Sequence, residues 1–342
     1  MNSLLDILKR IYPNMLQDMK QRYDLMRHVN LLQPIGRRSL ADVMGLTERT
    51  IRSEIELLQE QRILHVTNKG MFLTQEGKYV LEQLVPFIKE LSGLNELEQK
   101  VKKQLGLEKI IIVPGNSDEE KWAKLEMGRA CANYLDSIMT PEATIAVTGG
   151  STIAAVAEQM EETDGDNQYL FVPARGGFGE NVEYQANTIV AKMAQKTNSS
   201  YRMLFMPDVL SEASFNTMRH EPAIHAVLER IKEAQIVLHG LGDAITMARR
   251  RDTPQAIIEK LIDEEAVAEA FGYYFNKNGH IIHQVVSTGI DLEDLVTKEH
   301  VIAVAGGLSK AEAISAYFKT SYSKTLITDE GAAIGILRDA SL

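Results

Sequence analysis

The chain has 342 residues, 44% apolar and 25% charged, with a formal net charge of −10 and one cysteine, Cys131. That length and composition suit two or three globular domains with buried cores, while a lone cysteine excludes a disulfide framework and a cysteine-based zinc site and fits a reducing cytosol. No apolar run nears the ~20 residues needed to span a bilayer, and the opening residues carry Asp6 without a cleavage pattern, so a cytoplasmic chain with no leader and no membrane contact is expected.

The first residues, MNSLLDILKRIYPNML, predict a short amphipathic helix. Charge is uneven along the chain. Residues 1–90 hold 13 Lys+Arg and 11 Asp+Glu, a balance of +2, which leaves −12 on the rest. A mildly basic head on an acidic body is compatible with a small DNA-binding module joined to a regulatory domain.

The stretch RRSLADVMGLTERTIRSEIELLQEQRIL, residues 37–64, carries more information. Leu40, Val43 and Met44 give a short helix one apolar face, and Gly45 permits the left-handed turn that ends it. Thr47 is a suitable N-cap for the next helix, in which Ile51, Ile55 and Leu58 recur at i, i+4 and i+7 and face inward. Arg49, Thr50, Arg52 and Ser53 are left on the outer face near its N-terminal half. This is helix-turn-helix spacing, and such outer positions reach base edges in a major groove. Next, RILHVTNKGMFLT places a TNKG turn between two apolar runs and predicts a β-hairpin wing. Arg37, Arg38 and Lys69 are expected to meet phosphates of double-stranded operator DNA. A solvated helix face explains one charged helix alone; helix, glycine turn, capped helix and wing in this order point to DNA.

In residues 79–106, Leu81, Leu84, Ile88, Leu91, Leu94, Leu97, Val101 and Leu105 recur at steps of three and four, with breaks at Pro86 and Gly93. The stripe either pairs two chains or packs on its own body. Pairing matches the two-fold operators of helix-turn-helix proteins, so a homo-oligomer, dimer or tetramer, is expected. The expected domains are 1–78, a winged helix-turn-helix; 79–106, a linker helix; and 107–342, an effector-binding and oligomerisation domain.

From residue 107, apolar runs at 109–115, 143–150, 169–177, 202–207, 235–242, 300–307 and 325–333 alternate with helical stretches such as EKWAKLEMGRACANYL and ANTIVAKMAQKTN. Strands with both faces covered by helices mean an α/β fold with a mostly parallel, Rossmann-like sheet. Ligands of such sheets bind beyond the carboxyl ends of the strands. Those ends offer Gly149, Gly150, Ser151 and Thr152, a glycine turn opening a helix; Arg175 before Gly176 and Gly177; Arg249, Arg250 and Arg251 after 235–242; and Lys310 after Gly306 and Gly307. Backbone N–H groups and fixed cations collected in an otherwise acidic body suit a phosphorylated small ligand. Singly, GGST is a common strand–helix turn and RRR a solvated helix end.

The motifs GGST, QANTIVAKMAQKTNSSYRMLFMP, EEAVAEAFGYYFNKNGH and VIAVAGGLSKAEAISAYFKTSYSKTLITDEGAAIGIL resemble the SorC family of sugar-responsive bacterial transcription regulators, from about residue 90 to the end. PARGGFGENVEYQANTIV and the short winged head resemble a glycolytic branch of that family; its helix-turn-helix begins about 35 residues into the chain, later than in many members. The resemblance implies a repressor of a glycolytic operon, with no cofactor and with fructose 1,6-bisphosphate as effector, on a sheet related to ribose-5-phosphate isomerase and glucosamine-6-phosphate deaminase. It implies effector contacts at Gly149, Gly150, Ser151, Thr152, Arg175, Gln185, Arg250, Arg251, Glu269 and Lys310.

Those fold relatives raise the alternative of an isomerase or deaminase with an accessory DNA-binding domain. Such chemistry needs a poised acid and base. The deaminase-type loop GxGxDGH corresponds to HGLGDAITM here, where Asp243 is present but Ala244 and Ile245 follow it. His239 precedes the glycines on the strand, and Glu269 is expected to accept hydrogen bonds from sugar hydroxyls. No carboxylate cluster has metal-ligand spacing, so no catalytic residue and no metal site is expected.

Overall fold

The computed structural model describes residues 4–162, 168–177, 181–285 and 287–339. Contacts divide the chain into two compact units, Met1–Glu96 and Leu97–Leu342. Phe178, Gly179 and Glu180 of the PARGGFGENV stretch lie outside the described residues.

The head builds the expected winged helix-turn-helix. Helices Arg37–Met44 and Glu48–Glu60 are followed by β1 (Leu64–Thr67) and β2 (Gly70–Leu73), an antiparallel pair from Leu64↔Leu73 to Thr67↔Gly70. Gly45 takes φ +63 and closes the first helix through its N–H to Ala41 O and Asp42 O. The Thr47 hydroxyl accepts from Thr50 N at 3.2 Å and starts the second. Leu40, Ile51, Ile55, Leu58 and Met71 meet in one core. Val43 departs from its expected inward position. It is 38% exposed, and Ala41 takes the core place instead. A helix not read from the sequence, Pro13–Leu32, adds Tyr23, Leu25, Met26 and Val29 to this core.

The leucine stripe divides differently from its expected bounds. Pro86 sits inside helix Gln75–Leu91 without ending it, and the break comes at Gly93, φ +75, before helix Leu94–Leu105. Leu81 and Ile88 belong to the head's own core. A seam between two chains therefore cannot use these two side chains as knobs.

The body carries a seven-stranded sheet of β3 (Lys109–Val113), β4 (Thr144–Val147), β5 (Leu170–Pro173), β6 (Ser200–Tyr201), β7 (Ile236–Gly240), β12 (His300–Val304) and β13 (Thr325–Asp329). Its order is β3-β13-β12-β7-β4-β5-β6, with every pairing parallel. All residues of β4 and β13 are buried, as helices on both faces require. The chain runs outward from β4 through β5 and β6, returns to β7, and then runs the other way, so the topological switch lies between β4 and β7.

The strand expected at 202–207 is absent. The edge strand is the two residues Ser200–Tyr201, and the next backbone is held by a side chain: Asn187 Nδ2 donates to Leu204 O at 3.0 Å, and Leu204 N donates to Asn187 Oδ1 at 2.9 Å. A second sheet was not foreseen. It comprises β8 (Gly242–Asp243), β9 (Ala266–Ala270), β10 (Tyr273–Asn276) and β11 (Ile281–Gln284), antiparallel in the order β11-β10-β9-β8. β8 follows β7 with only Leu241 between them, and Gly242 pairs with Glu269, so the second sheet starts at the switch point.

Candidate functional site

The β4 end is a glycine turn that opens a helix. Gly150 has φ +117 and ψ 154, a conformation open to glycine and strained for other residues. It turns the chain into helix Ser151–Gln159, whose first intrahelical bond runs from Ala154 N to Gly150 O. The N–H groups of Ser151, Thr152 and Ile153 precede that bond and face outward along the positive end of the helix dipole. Gly149 admits the neighbouring segment: a Cβ there would lie 2.6 Å from Tyr184 O, and Gly150 N donates to that same oxygen at 2.9 Å. Gln185 follows directly in sequence, and its Oε1 would be 3.2 Å from a Cβ on Gly177, after β5.

Lys310, after β12, donates to Leu241 O at 3.1 Å, just past the end of β7, the strand beside β4. Its loop is fixed by carboxylates. Asp329 takes the N–H of Gly307 and of Ser117, and Asp118 takes the N–H and hydroxyl of Ser309. Burial pushes the Lys310 ammonium below its usual value, and the charges of Lys124 and Arg250 add to that, against Asp118 and Asp329. Lys124 was not singled out in the sequence; its Nζ donates to Ser151 Oγ at 3.2 Å. Among the described residues, neither Lys124 nor Arg250 has a carboxylate within salt-bridge distance.

Arg175, Arg251 and Glu269 form a separate arrangement, closed by Asp208, which sequence reasoning missed. Arg175 meets Asp208 at 2.9 Å and Glu269 Oε1 at 3.3 Å; Arg251 meets Asp208 Oδ2 at 3.3 Å and Glu269 Oε1 at 3.0 Å. The ring is charge-balanced, and its four side chains are 7% exposed or less. Gly272 N also donates to Glu269 Oε1, at 2.7 Å. Burial opposes the Glu269 charge, but Arg251, Arg175 and this N–H outweigh it and hold the carboxyl below its usual value. Burial pushes the Asp208 carboxyl up, against Arg175 and Arg251 and with Glu269. Glu269 Oε2 lies apart from these donors; a Cβ on Gly242 would be 3.5 Å from it. Of the ten expected effector residues, Arg175, Arg251 and Glu269 fall in a neutral buried ring, Gly149 to Thr152 form the β4 turn with Lys310 after β12, Gln185 follows Tyr184, and Arg250 is exposed at the end of helix Ala244–Arg250.

On the head, Arg37, Arg38, Arg49, Arg52, Ser53 and Lys69 are exposed. Arg38 has only a long contact with Glu48, 3.9 Å. Thr47 and Thr50 are joined hydroxyl to hydroxyl at 2.9 Å within the cap, so Thr47 orders the helix start while the arginines remain extended from it.

Comparison with known proteins follows this division. The family model described as "Putative sugar-binding domain" matches residues 89–338, and the "CggR N-terminal DNA binding domain" model matches 19–88. A SorC family transcriptional regulator from Enterococcus faecalis, a solved structure, superposes with a TM-score of 0.67 at 41% identity, covering 71% of this chain and 99% of that one. The chain belongs to the SorC family. Two relatives named central glycolytic genes regulator match over nearly their full length. The protein of Priestia megaterium is 48% identical over 99% of each chain; that of Bacillus subtilis is 46% identical over 99% of this chain and 100% of its own.

This SorC protein is therefore a DNA-binding transcription regulator with a sugar-binding domain, not an enzyme. The side chains weighed for catalysis have other tasks. Asp243 caps helix Ala244–Arg250 by accepting from Thr246 N at 2.7 Å. Glu269 Oε1 is saturated by the ring. His239 is 1% exposed, with Nδ1 at 3.1 Å from Gly240 O and Nε2 at 3.2 Å from Tyr317 Oη. The carbonyl can only accept, so Nδ1 carries the proton and Nε2 accepts from the phenol. Among the described residues, no group of three or more His, Cys, Asp or Glu is placed to hold a metal.

Burial pushes the His239 imidazole down to about 4, although Gly240 O and Glu269 favour its charge. The folded state therefore prefers neutral His239 relative to an unfolded chain near 6.5. The corresponding stability is complete above about pH 6.5 and is lost as pH falls towards 4, by about 3 kcal/mol over that range. Denaturant unfolding from pH 7.5 to 4.5 is expected to show a flatter profile for His239→Gln than for the wild type; parallel profiles would contradict the assignment.

Proposed function

We propose that this protein represses glycolytic genes and that fructose 1,6-bisphosphate, bound at the β4 and β12 ends, acts as inducer. The observation that supports the reading most is the excess of positive charge beside the β4 turn. A helix N-terminus opens at Ser151, Lys310 feels the charges of Lys124 and of the exposed Arg250 while Asp118 and Asp329 offset them in part, and a bound anion would relieve the remaining repulsion. Glu269 Oε2 and Gln185 offer neutral-hydroxyl partners nearby, which suits a sugar body. A second phosphate aimed at Arg175 or Arg251 competes with the carboxylates of the buried ring, and Arg175 Nε, buried without a partner among the described residues, is a donor it could take without displacing them. In this reading a bisphosphate engages the ring, whereas a monophosphate leaves it as it stands. Arg49, Arg52 and Ser53 read bases, and Arg37, Arg38 and Lys69 hold phosphates, with two or more chains on a two-fold operator. The ligand changes how the bodies pair and so the spacing of the heads. By linkage, DNA weakens ligand binding by the same factor.

Operator binding followed by fluorescence anisotropy tests this reading. At fixed salt, because phosphate contacts make DNA affinity steeply salt-dependent, fructose 1,6-bisphosphate is expected to lower affinity or cooperativity, and glucose 6-phosphate to do so less. An operator complex indifferent to every phosphosugar would refute the reading.

A further inference from the structure

We propose that Lys124 is a direct ligand of the phosphate at the β4 turn, a contact that the sequence motifs do not mark; the inference rests on the sugar-phosphate reading above. Its basis is the packing of two helices. Lys124 and Gly128 lie four residues apart on helix Lys121–Ile138, and Ser151 and Ala155 four apart on helix Ser151–Gln159. Each pair shares one helix face. A Cβ on Gly128 would stand 2.6 Å from Ala155 O, so the helices touch backbone to backbone at that point. One turn earlier on both, Lys124 Nζ rests on Ser151 Oγ at 3.2 Å. The glycine contact thus fixes the register that brings the ammonium to the mouth of the GGST turn.

That location is electrostatically unfavourable for a lysine with no anion present. Nζ lies at the positive end of a helix dipole, where anions are stabilised and cations are not. It is close enough to Lys310 to help depress that ammonium. Among the described residues its hydrogen-bond partner is a neutral hydroxyl and its side chain has no carboxylate partner. By contrast Lys192, on helix Ala186–Lys196, is 3.6 Å from Glu158, and Lys324 is 2.8 Å from Glu108. A phosphate accepting from the Ser151 and Thr152 N–H groups would bring its oxygens between Lys124 and Lys310, and each ammonium would gain a charge-assisted hydrogen bond. Lys124 then separates phosphorylated from unphosphorylated sugars, because a neutral hydroxyl there leaves the repulsion in place.

Calorimetric titration of the full-length protein with fructose 1,6-bisphosphate, and separately with inorganic phosphate, tests the assignment in wild type, Lys124→Met, Lys124→Arg and Lys192→Met. Lys124→Met is expected to weaken both ligands about tenfold or more, Lys124→Arg to restore most of the loss, and Lys192→Met to match the wild type. Melting of the ligand-free Lys124→Met protein should be unchanged or higher, since a repulsion is removed. If wild type binds and Lys124→Met binds within twofold of it, Lys124 is not a ligand and the sugar-phosphate reading survives. If wild type binds neither ligand, both the reading and this inference fall.

Discussion

Replacing Asp208 with alanine is expected to destabilise the body by about 3–5 kcal/mol, the cost of leaving a buried charge without its partner. Asp208 is fully buried and meets both Arg175 and Arg251. Without it two guanidiniums face the single carboxylate of Glu269, in a place water reaches poorly. Asp208→Asn is expected to cost less, because burial already draws the Asp208 carboxyl towards its neutral form and an amide oxygen still accepts from Arg251. The chain has a single tryptophan, Trp122, within the body unit. Its fluorescence during urea unfolding therefore follows the relevant unit without interference from the head. A loss under about 1 kcal/mol for Asp208→Ala would mean that the ring relaxes or hydrates and does not act as a closed unit.

Lys310→Met is expected to separate binding from stability. A charge-assisted hydrogen bond to phosphate contributes about 1.5–3 kcal/mol, so ligand affinity should fall about 10- to 100-fold. The folded protein should not weaken in step. The Lys310 ammonium is disfavoured by burial and by Lys124 and Arg250, and methionine fills a similar volume without charge. Its acceptor, Leu241 O, loses a donor, which offsets part of the gain. Paired calorimetry and thermal melts should show lost ligand response with a melting temperature at or near that of the wild type. Equal losses in both would make Lys310 a structural residue. Unchanged affinity would place the phosphate elsewhere.

The parts legible in the sequence were those whose signals are local. Gly45 followed by Thr47 announces a helix end and a helix start within three residues, and both caps form. Parallel strands buried on both faces appear as short apolar runs ending in glycine, and six of the seven expected runs contain strands of the main sheet. The seventh is not a strand: both backbone bonds of Leu204, in its middle, go to the Asn187 side chain, which no periodicity encodes. The second sheet had a readable signal in YYFNKNGHIIH, aromatics before and isoleucines after an Asn-rich turn, with Tyr273↔Gln284 and Tyr274↔His283 paired across it. At the site, the glycine turn, Lys310 and Gln185 were legible as motif residues. Asp208 was not, because its role depends on partners 33 and 43 residues away. Lys124 was not, because its position follows from a backbone contact at Gly128 that a composition of ordinary helix formers conceals.

If the β4 turn takes the proposed phosphosugar, its cationic mouth also acts on the protein before any sugar arrives. With Asp118 and Asp329 offsetting only part of the charge around Lys310, such a site would draw small anions from solution, and inorganic phosphate has acceptor oxygens for the same N–H and ammonium donors. Its occupancy then follows a competition. The apparent dissociation constant for a phosphosugar rises in proportion to one plus the ratio of free phosphate to its own dissociation constant. On the proposed reading, a regulator with such an entrance would gauge the sugar against the background of phosphate, and its switching point would drift with the ionic medium even when the sugar concentration is constant.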